Sequence, residues 1–177
     1  MKKLSLLALP VLFAFGCGGV DSLFGDGGLD GGNNVCAAGV TPYQIKTGVY
    51  KTQSVPSVTE NCGLGLTAAN LMTDREVAND AQGNITVYSL STTPKAPLGT
   101  GPVRCNMGTL TGSDIANASG CDFTRQTTVS MTVTAANQFT IAVTQTRSNF
   151  KQDASGTTCK QMANTSCTIS YTATMQQ

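Results

Sequence analysis

Residues Thr128-Val129-Ser130-Met131-Thr132-Val133-Thr134, then Ala135-Ala136-Asn137, then Gln138-Phe139-Thr140-Ile141-Ala142-Val143-Thr144 carry the clearest signal in the chain. Apolar and hydroxyl side chains alternate with a period of two on both sides of a short break, as in two strands that each bury one face. Opposing Val133 to Phe139, Met131 to Ile141 and Val129 to Val143 keeps apolar against apolar. That register asks for a three-residue loop and puts Asn137 where such loops take a left-handed residue. The stretch predicts an antiparallel hairpin.

Working outward, Arg75 to Ala78 and Asn84 to Tyr88 flank Asn79-Asp80-Ala81-Gln82-Gly83 and predict a second hairpin with Val77 opposite Ile85. Thr47 to Ser54, Val103 to Leu110 and Thr168 to Met175 are further alternating runs, the last with Ile169, Tyr171, Ala173 and Met175 on one side. Only Thr67 to Met72 has a helical reading. The expected fold is all-β: a small antiparallel up-and-down barrel, lipocalin-like, or a sandwich, with about seven or eight strands. Closure would pair the strand beginning at Cys167 with the one holding Gly48, Val49 and Tyr50. Val49, Val77, Ile85, Val87, Val129, Met131, Val133, Phe139, Ile141, Val143, Ile169 and Tyr171 are the expected inward residues, enough to fill a small barrel.

Of the 177 residues, 40% are hydrophobic, 12% are charged, and none is His or Trp. The formal charge is +1, and Lys46, Lys51, Arg75, Lys95, Arg104, Arg125, Arg147, Lys151 and Lys160 are scattered singly, so no nucleic-acid partner is expected. The absence of His removes the usual neutral-pH base and the commonest metal ligand. No G-x-S-x-G elbow occurs, and the cysteines form no C-x-x-C pair, so neither a metal nor a cofactor is expected. Gly99-Thr100-Gly101-Pro102 lacks the donor and the helix of a phosphate loop and reads as a turn. Asp114, Asp122, Glu60, Glu76, Asp74 and Asp80 supply carboxylates for an acid–base pair, but Glu60, Asp74 and Glu76 read as solvated loop residues. No enzyme is expected. The 26 Thr residues suit a solvated strand face, with Thr128, Thr132, Thr134, Thr140, Thr144 and Thr146 pointing outward. A flat binding surface for a glycan, another protein or ice is the sharper reading of that face. Three Asn-x-Ser/Thr sequons, at Asn84, Asn117 and Asn164, read as chance matches.

The amino terminus has the layout of a secretory signal: basic Lys2 and Lys3, an apolar stretch from Leu4 to Phe15, then Ala14-Phe15-Gly16-Cys17-Gly18. The stretch is too short for a spanning helix, which needs about 20 apolar residues. Its end resembles the lipobox of bacterial lipoproteins, although Ala14 and Phe15 stand where that family prefers Leu and a small residue. An ordinary leader peptidase reading Ala14 and Gly16 is the alternative. Spending Cys17 on acylation, palmitate included, leaves Cys36, Cys62, Cys105, Cys121, Cys159 and Cys167, which pair without remainder. Nearest neighbours would pair: Cys36 with Cys62, Cys105 with Cys121, and Cys159 with Cys167.

Val20 to Asn34 is dense in Gly, Asp and Asn and reads as a tether; Asp26, Asp30 and Gly31 imitate a calcium loop only in part. Residues 1–16 are thus expected to be a lipoprotein signal peptide, 17–35 the lipidated Cys with its tether, and 36–177 a disulfide-bridged β-domain. The whole resembles small bacterial lipoproteins. That resemblance implies an exported protein of the cell envelope, and Gly18 in place of Asp implies the outer membrane. The expected function is a non-catalytic binding or scaffolding module for a protein or glycan. Alternatives are a lipocalin-like carrier of a small apolar ligand and an inhibitor of an extracellular hydrolase, with Ser91 to Pro102 or Lys151 to Thr165 as the projecting loop.

Overall fold

The computed structural model describes residues 36–118, 120–155, 159 and 165–177. Cys17, the signal segment and the tether lie outside the described residues. Eight antiparallel strands close into one barrel in chain order: β1 (Gly48–Glu60), β2 (Arg75–Asn79), β3 (Asn84–Ser89), β4 (Ala96–Arg104), β5 (Met107–Ala118), β6 (Cys121–Ala135), β7 (Gln138–Gln152) and β8 (Ser166–Gln176). Helix α1 (Ala68–Leu71) lies between β1 and β2. Strand β8 pairs with β1 and closes the ring.

The quoted hairpin has the expected register, with Val133, Met131 and Val129 opposite Phe139, Ile141 and Val143. Asn137, however, has no positive φ; a register shift between Val133 and Ala135 absorbs the offset instead. In the β2–β3 hairpin Val77 faces Val87 rather than Ile85. The Asp80 carboxylate accepts the amides of Gln82 and Asn84 at 2.9 and 2.8 Å, and Gly83 sits at φ +79. That Asx turn closes the hairpin more tightly than a five-residue loop and moves the register by two, leaving the faces unchanged.

Three further expectations are corrected. Val49 points outward, 49% exposed, and Tyr50 is fully buried. The Tyr50 ring packs 4.7 Å from Phe139 and its hydroxyl donates to the Lys46 carbonyl at 2.9 Å, so the larger apolar surface takes the inner face. Val103 to Leu110 is two strand ends joined at Cys105 and Asn106, both left-handed at φ 50 and 69 as a two-residue hairpin demands. Gly99 to Pro102 is strand, not turn, because β4 and β5 approach so closely that a Cβ on Gly101 would lie 2.5 Å from the Thr109 carbonyl oxygen.

The bridges are Cys36–Cys105, Cys62–Cys167 and Cys121–Cys159, none of them one of the three expected pairs. The strand geometry forbids the nearest-neighbour set. Cys105 and Cys121 lie at opposite ends of β5, separated by about 40 Å of strand. The start of β1, the turns β2–β3, β4–β5 and β6–β7, and the end of β8 form the proximal end. There Asn106 ties down residues 36–47, accepting from the Tyr43 amide at 2.6 Å and donating to the Thr41 carbonyl at 2.8 Å. The distal end holds the connections 61–74 and 90–95, the described residues 153–155 that follow β7, and the other two bridges.

Peptide mapping without reduction is expected to recover the three observed pairs, and removing Cys62–Cys167, which closes 105 residues, to cost about 4 kcal/mol. A recovered Cys105–Cys121 peptide would contradict the barrel. Denaturant titration should show Tyr50→Ala losing about 3 kcal/mol or more and Val49→Ala less than about 1 kcal/mol, because only the first empties core volume.

Candidate functional site

The barrel interior divides into two halves along its axis. The half nearer the proximal end is apolar and full: Tyr50, Val77, Val87, Leu110, Val129, Met131, Phe139, Ile141, Val143 and Met175 are all buried. On β6 and β7, continuing the same inward alternation toward the distal end replaces apolar side chains by polar ones, while β8 stays buried and largely apolar through Tyr171 and Ile169. Thr127 and Gln145 are buried and directly paired; Arg75 and Ser89 are buried and directly paired. These four are the buried polar residues among the described ones.

Beyond Thr127 and Gln145, the next inward positions on β6 and β7 are Arg125 and Arg147, again directly opposite each other. Like charges in that relation repel. Arg125 is neutralised by Asp114 on β5, to which its Nε donates at 2.8 Å and its Nη2 donates in a shorter contact. Arg147 has no carboxylate bonded to it. Its guanidinium lies 4.7 Å over the Phe123 ring, and its Nε donates to Gln145 Oε1 at 3.1 Å. Its two η nitrogens have no hydrogen-bond partner among the described residues. Burial first, and the Arg125 charge second, hold the Arg147 pKa below its ordinary value, with the Glu60 carboxylate acting in the opposite sense.

Glu60 is already engaged. Its two oxygens accept the amides of Cys62, Leu64 and Gly65 at 2.7, 3.1 and 2.9 Å. Desolvation pushes its pKa up, but those amides together with that of Gly63 outweigh it, so the net shift is downward.

Arg75 is deeper, 3% exposed. Its Nη1 donates to the carbonyls of Thr73 and Asp74 and, in a shorter contact, to the Thr73 hydroxyl; its Nη2 donates to the Tyr171 hydroxyl at 3.3 Å. Every one of these acceptors is neutral, and Nε is buried with no partner. Among the described residues, Arg75 and Arg147 thus have no carboxylate bonded to them, Asp114 and Glu60 being already engaged. Burying a cation without a counter-charge is costly, so this polar layer is the feature least explained by folding alone.

A recess of about 390 Å³ lies at the proximal rim, where Tyr43 and Ile45 of the tied-down segment face Ile85, Val103, Arg104 and Asp80. The carboxylates singled out from sequence do not converge. Asp80 organises the β2–β3 turn, Glu76 pairs with Lys95 at 2.5 Å, and Asp122 accepts from Asn117. Glu60 and Glu76 belong to strands rather than loops. Ser148 and Lys151 stand at S-x-x-K spacing. They are carried on β7 with Asn149 left-handed between them, so no helical turn brings amine to hydroxyl. The outward Thr positions fall on the solvent face of β6 and β7 as expected.

The chain matches no family model, no curated protein and no solved structure.

The Glu60 cluster gives a pH signature. A carboxylate whose folded pKa is lowered stabilises above the unfolded value near 4.3 and loses that contribution as pH falls through the folded value. Hydrogen exchange is expected to show the Leu64 and Gly65 amides protected above that range and opening below it in the native chain. In Glu60→Gln that dependence should vanish. Equal pH dependence in both proteins would contradict the cluster.

Proposed function

We propose that the protein is an exported, non-catalytic binding or scaffolding module, acylated at Cys17 and held on the outer membrane, whose partner engages the distal end of the barrel. The observation that carries this reading is the polarity of the barrel. The described chain enters at Cys36, bonded to the β4–β5 turn at the proximal end, while the connections 61–74 and 90–95, two of the bridges and the Arg125–Arg147 pair lie toward the other end. Three bridges suit an oxidising compartment, and two acyl chains on one Cys suit stable anchoring.

The filled apolar half favours recognition at an end of the barrel over carriage of an apolar ligand inside it. Inhibition of an extracellular hydrolase is the second reading, favoured by the distal β3–β4 connection, whose residues 90–95 are all exposed. The loop is shorter than Ser91 to Pro102, since β4 begins at Ala96.

Mass spectrometry of the protein purified from membranes is expected to find an acylated Cys17 at the amino terminus, and Cys17→Ser to move the protein from the membrane to the soluble fraction. An unacylated terminus at another residue, with unchanged fractionation of Cys17→Ser, would sink the anchoring.

A further inference from the structure

We infer that the polar half of the barrel interior is a binding site for one carboxylate group, with Arg147 as the residue that touches it. The inference deepens the binding-module reading by naming what the distal end recognises.

The Arg147 guanidinium is preorganised from two sides: Phe123 supports its face and Gln145 holds Nε. What remains is the edge bearing the two η nitrogens, the planar fork that matches a carboxylate with two parallel hydrogen bonds. The nearby acids cannot fill that role: Asp114 is bidentate to Arg125, and the Glu60 oxygens are spent on backbone amides. Phe123 packs with the Cys121–Cys159 bridge, and Cys167, directly paired with Arg147 on β8, is bonded to Cys62, so two covalent links brace the strands around Arg147.

A free organic acid and an acidic protein side chain both present this carboxylate, and citrate and a hexaglutamate peptide separate the two sources. Titration calorimetry on the full chain, purified from membranes in neutral detergent, is run with each probe against chloride at equal ionic strength. Binding of citrate or hexaglutamate is expected, weakened at least tenfold in Arg147→Gln and unchanged in Lys51→Gln. The tighter of the two probes assigns the source. Gln145→Glu builds a carboxylate beside Arg147 within the chain; it should raise the unfolding temperature and abolish the response to both probes. Binding no stronger than that of chloride, equal binding by Arg147→Gln, or a destabilised Gln145→Glu that still binds would overturn the site. Failure of the titration leaves the acylation result standing, and failure of acylation leaves the titration interpretable, so the two ideas fall separately.

Discussion

The pairing of β6 with β7 in a single register is the constraint on which the rest of the molecule depends. It sets Val133, Met131 and Val129 against Phe139, Ile141 and Val143, and the same register carries on to set Thr127 against Gln145 and Arg125 against Arg147. Core and polar layer are therefore two segments of one ladder. Because side chains alternate with a period of two, a slip by one residue would expose the apolar set and turn the arginines outward together. The apolar segment makes that slip prohibitively costly, and in doing so it holds two like charges opposite each other in the interior.

What opposes this arrangement is electrostatic. Arg125 is offset by Asp114 within the adjacent strand pair, whereas Arg147 has a ring, an amide oxygen and a carboxylate that is bonded elsewhere. The bridges lie where the sheet does least to hold the chain. Cys62–Cys167 and Cys121–Cys159 fasten long distal connections to strand ends, and Cys36–Cys105 fastens the entering segment to a two-residue turn. Each joins parts far apart in sequence, because in an up-and-down barrel the elements that meet at one end are separated by whole strands.

Much of this was legible in the residues. Strong alternation in β6, β7 and β8 identified their inner faces, and closure of β8 on β1 followed from the need to cover edges. Register failed where turn chemistry rather than pattern decides: Asp80 tightened one hairpin, and two left-handed residues made a turn inside what looked like one strand. At Val49-Tyr50 two adjacent apolar residues left the face ambiguous, and ring packing on Phe139 resolved it. Disulfide pairing was invisible because it depends on which strand ends share a barrel end. The arginine pair was within reach. Positions 125 and 147 add to the same sum as 129 and 143, so the expected hairpin already opposed them, but cations read one at a time along the chain appear scattered.

The most direct measurement is the cross-strand backbone NOE pattern of the β6–β7 hairpin in solution. A backbone contact between Arg125 and Arg147, in series with those of Val129 with Val143 and Val133 with Phe139, is the predicted result. Contacts from Arg125 to Thr146 or Ser148 in its place would mean a slipped ladder, and the inward arginines and the site built on them would go with it.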